Sequence, residues 1–185
     1  MSFLGSGNDE FVWGPRDGSD TVEGPRRHGR LRFNGSNANE DIDISASGQR
    51  LRFSRDVANV TTDANGLGTV DVRALGGADV VTVHDLTGTA VSAVTVDLPG
   101  PSEGPPATPS PTRSSWRPRP NVDDITVIES GSSANVNGLV PMVHISPSEG
   151  ANDRLDINTL AGSDSVDSAG LAPGVIQLFV DGVAQ

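Results

Sequence analysis

Cysteine is absent from the chain, which excludes a disulfide framework, a thiolate metal site and a cysteine nucleophile. Stability must therefore come from packing and from oxygen-based contacts. Lysine is absent as well, since all 13 basic residues are Arg; no glycine-rich loop can then end in the Lys of a Walker-type phosphate loop. Aromatic residues make up 4% and hydrophobic residues 35% of the 185 residues. Such a composition leaves a thin core filled by Val, Ile, Leu and Ala, without a large globular interior. No apolar run reaches the roughly 20 residues of a membrane helix. The first residues also lack a basic start followed by an apolar stretch, so membrane insertion is not expected and no Sec signal is visible.

Charge is strongly one-sided. With 24 acidic residues and a net charge of -11, the chain repels nucleic acid phosphates and anionic lipid surfaces. Cations are the natural partners of the carboxylates, most of which are expected to form a solvated surface.

Short β-branched runs recur throughout: Asp41-Ile42-Asp43-Ile44, Leu51-Arg52-Phe53, Asn59-Val60-Thr61, Val70-Asp71-Val72, Val81-Thr82-Val83 and Val94-Thr95-Val96. Each alternates apolar with polar residues, the period of a strand with one buried face. Gly, Asn and Asp punctuate the gaps, and the runs begin roughly ten residues apart. No window carries helical apolar spacing over three turns, so an almost helix-free, all-β protein is expected.

An internal repeat is visible. Residues 70–81, beginning Val70-Asp71-Val72, match residues 155–166, beginning Leu155-Asp156-Ile157, at an offset of 85 (155 − 70). Leu86 keeps that offset with Leu171, and after a one-residue gap Val96-Asp97 matches Val180-Asp181. Upstream, Asp41-Ile42 and Ile44 align with Asp124-Ile125 and Val127 at an offset of 83 (124 − 41). The division that follows is an N-terminal stretch 1–36, a first β unit 37–98, a linker 99–120 and a second β unit 121–185. Matching strands are expected at Val70-Asp71-Val72 and Leu155-Asp156-Ile157, with Leu75 and Leu160 in matching buried positions. The linker holds eight of the 13 prolines; proline removes backbone donors, so a mobile tether with no central strand is expected there.

One pattern carries chemistry. Gly5-Ser6-Gly7-Asn8-Asp9-Glu10-Phe11 has the form G-x-G-x-D-x-U, with U a large apolar residue, and Gly18-Ser19-Asp20-Thr21-Val22, Gly77-Ala78-Asp79-Val80-Val81 and Gly162-Ser163-Asp164-Ser165-Val166 repeat its second half. Glycines permit positive φ and inward-pointing carbonyls, and Asp supplies a carboxylate; calcium takes six to eight such oxygens. The same residues also suffice for simple turns between strands. The pattern resembles the nonapeptide repeat of RTX proteins, the hemolysin-type calcium-binding proteins of bacteria. Stretches similar to the strand-rich region that precedes such repeats are 9–24, Leu31-Arg32-Phe33-Asn34-Gly35, 55–60, 74–79 and Asn152-Asp153-Arg154-Leu155. The resemblance implies calcium ligands at Gly7, Asp9, Gly18, Asp20, Gly77, Asp79, Gly162 and Asp164, Ca2+ as the cofactor, and a secreted or cell-surface location with an unidentified surface or polysaccharide partner.

Catalytic patterns are weak. His28, His84 and His144 are scattered away from metal-ligand spacing, and no Gly-x-Ser-x-Gly elbow follows an apolar strand. The expectation is a parallel β-solenoid, either β-roll or right-handed β-helix, with two small β-sandwiches as the alternative. Function is expected to be non-enzymatic: a calcium-associated structural or adhesive segment of an exported RTX-like protein. The competing reading is a polysaccharide lyase or hydrolase, with Arg50-Leu51-Arg52-Phe53-Ser54-Arg55 as its only candidate surface; alternating Arg on a strand is more simply a solvent face.

Overall fold

The computed structural model describes residues 1–24, 29–98, 113–117, 123–148, 150–160 and 163–185. The chain is all-β, and no α-helix occurs among the described residues. In chain order the strands are β1 (Ser2–Phe3), β2 (Glu10–Trp13), β3 (Asp20–Glu23), β4 (Gly29–Asn34), β5 (Asp41–Ser47), β6 (Arg50–Arg55), β7 (Val60–Asn65), β8 (Leu67–Arg73), β9 (Val80–His84) and β10 (Ala93–Asp97). They continue as β11 (Arg113–Arg117), β12 (Asp124–Ser130), β13 (Ser133–Asn137), β14 (Met142–Ser146), β15 (Arg154–Ile157), β16 (Ser165–Gly170), β17 (Gln177–Val180) and β18 (Val183–Ala184).

Two sheets share one core. The first has the order β1-β3-β7-β6-β5-β9-β11-β15-β17-β18 and the second β16-β12-β13-β14-β10-β8-β4-β2. The chain passes from one sheet to the other with each strand, except at two antiparallel meanders, β5-β6-β7 and β12-β13-β14, and at the closing pair β17-β18. Strands from successive passes pair in parallel, as β2 with β4, β4 with β8 and β8 with β10. Both sheets are therefore mixed. The two β units do not form separate sandwiches, because β10 pairs with β14 in one sheet and β11 links β9 to β15 in the other.

Alternation in the sequence becomes rows of side chains across the sheets. Leu31, Val70, Val94 and Val143 stand in register across four neighbouring strands, and Phe33, Val72, Val96 and Ile145 form the next row. All eight are buried. The largest side chains meet where Trp13 stacks on Phe33, centroids 4.5 Å apart at 11°, and Phe33 meets Phe53 at 4.5 Å and 38°. Offset contacts of this kind add about 0.5–1.5 kcal/mol beyond area burial.

The repeat is real in space. Ile44 pairs with Phe53 as Val127 pairs with Val136, and Ile42 pairs with Val81 as Ile125 pairs with Val166. Val70 pairs with Val94 as Leu155 pairs with Leu178, so Val70-Asp71-Val72 and Leu155-Asp156-Ile157 occupy matching strands. Equivalence also reaches further upstream than the sequence match, because β4 stands beside β2 and β8 as β11 stands beside β9 and β15. One unit thus runs β4 to β10 and the next β11 to β17, while β1, β2 and β3 repeat the last three strands of a unit. Each unit places its meander in the opposite sheet from its neighbour.

Two expectations are corrected. Leu75 and Leu160 do match in position, yet they are 45% and 58% exposed. Leu75 stands two residues past β8 at φ 67, and Ala74, in phase with Val70 and Val72, fills the buried place instead. Within residues 99–120, where no central strand was expected, Arg113–Arg117 pairs in parallel with β9 on one side and β15 on the other. The prolines flank this strand rather than interrupt it; the rest of 99–120 lies outside the described residues.

A strand paired on both sides has its amides held in ladders. Hydrogen exchange in native protein should therefore protect Ser114, Ser115 and Trp116 about as well as Val81 in β9, and trypsin should spare the bond after Arg113. Rapid exchange there, with cleavage at Arg113 before either unit is cut, would show the segment undocked.

Candidate functional site: a buried carboxylate cluster at the strand entrances

An acid stands immediately before many strands, in phase with the apolar side chains that follow. Asp9 precedes Phe11 and Trp13, Glu40 precedes Ile42 and Ile44, Asp79 precedes Val81 and Val83, Asp123 precedes Ile125 and Val127, and Asp153 precedes Leu155 and Ile157. Two-residue periodicity points each of these acids at the core. Glu40, Asp79, Asp123 and Asp153 are indeed buried.

Burial of a charge demands partners, and Glu40 has them. The Arg55 guanidinium donates to Glu40 Oε1, the Ser36 hydroxyl donates to the same oxygen at 2.8 Å, and the Ser36 amide donates to Oε2 at 3.1 Å. Arg55 also donates to Ser36 Oγ at 3.0 Å, and its guanidinium carbon lies 5.4 Å from the Trp13 ring centroid and 6.0 Å from that of Phe33. Arg55 is 4% exposed. It shares the phase of Leu51 and Phe53 and not that of Arg50 and Arg52, so the expected all-solvent Arg face does not hold for it. The parity of position 55 was the available signal.

Asp79 joins this cluster from the next strand. Its Oδ1 accepts the Glu40 amide at 2.9 Å, and its Oδ2 is buried without a partner among the described residues. Burial pushes its pKa up to about 7, helped by the neighbouring charges of Glu40 and Asp41 and opposed by the Glu40 amide bond and by Arg55. The second unit repeats the amide contact: Asp164 Oδ1 accepts from the Asp123 amide at 2.9 Å. In both cases the Asp of a Gly-x-Asp sequence ties the entrance of its own strand to that of the adjacent parallel strand.

The other predicted ligands are dispersed. The Asp9 carbonyl accepts from the Arg30 amide at 2.9 Å, and Asp9 Oδ2 is buried without a partner among the described residues. Asp20 opens β3 in the other sheet, 4.0 Å from the N-terminal ammonium. Gly18 accepts from Trp13 Nε1 at 2.8 Å, at the far end of β2 from Asp9. Four residues of β2, at roughly 3.3 Å each, separate the two turns. Gly7 has φ 133 with open space around it, whereas Gly77 has φ 116 and a Cβ there would lie 2.5 Å from the Ala38 carbonyl oxygen. Gly162 lies outside the described residues.

The Glu40–Asp79 cluster does not by itself supply a calcium shell of six to eight oxygens. Both Glu40 oxygens already accept hydrogen bonds, Arg55 supplies the positive charge, and Asp79 contributes a single open oxygen. Among the described residues no group of three or more His, Asp or Glu side chains is arranged to hold a metal ion. One pair resembles part of a catalytic dyad: His84 Nε2 lies 2.6 Å from Asp43 Oδ2 on the outer face of the first sheet. His144 Nδ1 similarly lies 2.6 Å from Asn135 Oδ1.

Removing one partner of the buried pair is expected to be severe. Arg55→Ala should cost about 3–5 kcal/mol, because Glu40 is left charged and enclosed. Asp79 sets a pH dependence. Its folded pKa, about 7, stands above the ordinary aspartate value of 3.8, so between those limits the folded state keeps a proton that the unfolded chain releases. Stability falls as pH rises through that window and is flat with respect to Asp79 beyond it, a loss of up to about 4 kcal/mol. Asp79→Asn keeps an acceptor for the Glu40 amide and removes the charge. Melting curves should show this variant more stable than wild type at pH 8 and equal to it near pH 3; an unchanged difference across pH would refute the assignment. Compared with known protein families, curated proteins and solved structures, the chain matches none of them.

Proposed function

We propose that this chain is a non-enzymatic structural or adhesive segment: a coil of solenoid type, wound from parallel passes between two sheets, with an antiparallel meander inserted once per unit. What carries the reading is the duplicated carboxylate-to-amide tie at the strand entrances, Asp79 to Glu40 and Asp164 to Asp123. At each of these entrances one carboxylate oxygen is engaged in holding one strand to the next. A group retained in both copies of an internal repeat, in the same hydrogen bond, answers a demand of the coil.

Surface shape supports the same reading. Two depressions on the described surface are open, one of about 270 Å³ beside Gln49, Asn65 and Thr89, and one of about 500 Å³ beside Asp9, Glu10, Arg30 and Ser92. Neither is lined by an aromatic side chain on which a sugar ring could stack, which weighs against the polysaccharide-active alternative. The Arg50 side chain, which that alternative would use, is engaged by Asp63 at 2.6 Å and Glu23 at 2.7 Å. The cell-surface setting follows from the resemblance to RTX proteins, and calcium remains the ion to titrate because that resemblance names it.

Thermal melting with millimolar calcium and with chelator tests the role of the turns. Ions that bind only the folded state raise its melting temperature; equal melting temperatures are expected if the turns serve hydrogen bonding alone. A calcium-dependent rise abolished by Asp9→Ala with Asp79→Ala would instead make calcium part of the function. Turnover of acidic or neutral polysaccharides that disappears with Arg50→Ala would overturn the non-enzymatic reading.

A further inference from the structure

The ends of the two sheets present strands whose equivalents inside the molecule are covered. β9 has β5 on one side and β11 on the other, and Val81 at its centre is fully buried. β2 and β16 hold the same place in their units, yet among the described residues each is paired on one side only, β2 by β4 and β16 by β12. Phe11 and Val166, the counterparts of Val81, are consequently only partly buried. The N-terminal end adds exposed apolar side chains, Phe3 at 74% and Val12 at 49%, and the other end adds Val183 at 64%.

We propose that these two ends dock head to tail, so that β16 of one copy of this chain pairs in parallel with β2 of a second copy. Direction permits it. Strands β2, β4, β8, β10 and β14 are mutually parallel, and the two antiparallel steps through β13 return β12, and hence β16, to the same direction.

Hydrogen-bonding groups are also available. The Arg30 amide donates to the Asp9 carbonyl, which fixes the parallel ladder of β2: Asp9, Phe11 and Trp13 turn their backbone groups toward β4, and Glu10 and Val12 turn theirs to the open edge. On β16 the Ser165 amide donates to the Asp123 carbonyl, which leaves the Val166 amide and carbonyl at the open edge. Setting Phe11 beside Val166 continues the apolar row from Ile125 and Val166 on one copy to Leu31 and Val70 on the next. In that register Glu10 faces Ser165 and Asp167 faces Val12, so no like charges are opposed. Because the two surfaces differ, the contact is heterologous and leads to an open chain of copies, not a closed dimer. A net charge of -11 per copy opposes association, and salt relieves that repulsion.

Sedimentation of the full chain over a wide concentration range, at low and high salt, provides the test. The expected result is a series of dimers, trimers and longer species that grows with both concentration and salt. Val12→Pro removes an edge-facing amide of β2, and Val166→Pro removes one of β16, with the inner ladders intact. Each variant alone should remain monomeric while keeping a cooperative melt, and an equimolar mixture should form dimers and stop there, since only one open end of each type remains. A wild-type chain that is monomeric under every condition overturns the proposal without recourse to any variant. A single closed dimer, or single-end variants that still assemble, overturns it as well.

Discussion

Most of the described strands have one apolar face, and that single constraint dictates the rest. A sheet built from such strands is stable only if its apolar face is covered, and with so few aromatic residues the cover has to be close and flat. The second sheet supplies it. Leu31, Phe33, Ile42, Ile44, Val70, Val72, Val81 and Val94 each contribute to a thin shared interior in which no side chain larger than those of Trp13, Phe33 and Phe53 is enclosed. Passing between the sheets with nearly every strand is how a chain of short strands fills both sides at once, and parallel pairing of successive passes follows from that route.

Ends of the apolar rows create the electrostatic problem of the fold. Where a row meets the loops, the next inward position is occupied by an acid, and the two units resolve it differently. In the first unit Glu40 is neutralised by Arg55, whose guanidinium also lies against Trp13 and Phe33. In the second unit the position equivalent to Arg55 is Gly138, at an offset of 83 (138 − 55). There φ is 100, and a Cβ would come within 1.9 Å of the Asp124 carbonyl oxygen. Backbone closes in where the first unit has a long side chain, and Asp123 takes the place of Glu40 with one methylene fewer. The Asp-to-amide tie survives the change in both units. That persistence marks it as the element on which the strand entrances depend, and the Arg pair as an addition local to one unit.

Much of this was legible in the sequence, for reasons that can be named. Alternation is set by the pleat, so Ile42, Ile44, Phe53, Val70 and Val72 announced their burial directly. The repeat was visible because matching strands keep matching partners, and an offset near 84 carried Ile44 to Val127 and Val70 to Leu155. The link between β4 and β11 was hidden, because Leu31 becomes Ser114 and Phe33 becomes Trp116 in a strand flanked by prolines; only pairing in space restores the equivalence. Gly-x-Asp is ambiguous in the sequence, because glycine and aspartate are shared by calcium loops and by any turn that must take positive φ. Phase alone does not separate the two, because in the D-x-U pattern the carboxylate always continues the apolar phase of the following strand. Asp79 does so with Val81 and Val83, which places it on the inside, beside an amide and an arginine. The same parity argument places Glu40 and Arg55 on the inside, where they meet.

A unit crosses between the sheets an odd number of times, and this has a consequence for the outer surface. Counting a meander as one pass, the first unit occupies the second sheet with β4, the first with β5-β6-β7, then β8, β9 and β10 in alternation; the next unit begins in the first sheet with β11. Units are therefore related by a half-turn about the axis along which strands stack, combined with a step along it. The outer face of a meander therefore lies on one side of the two-sheet stack in one unit and on the opposite side in the next, with Asp43 beside His84 in the first unit and Thr126 in the place of Asp43 in the second. An even number of passes would have lined all copies along a single face, giving one continuous binding surface. The odd number instead sets the exposed faces of successive units alternately on the two sides of the axis.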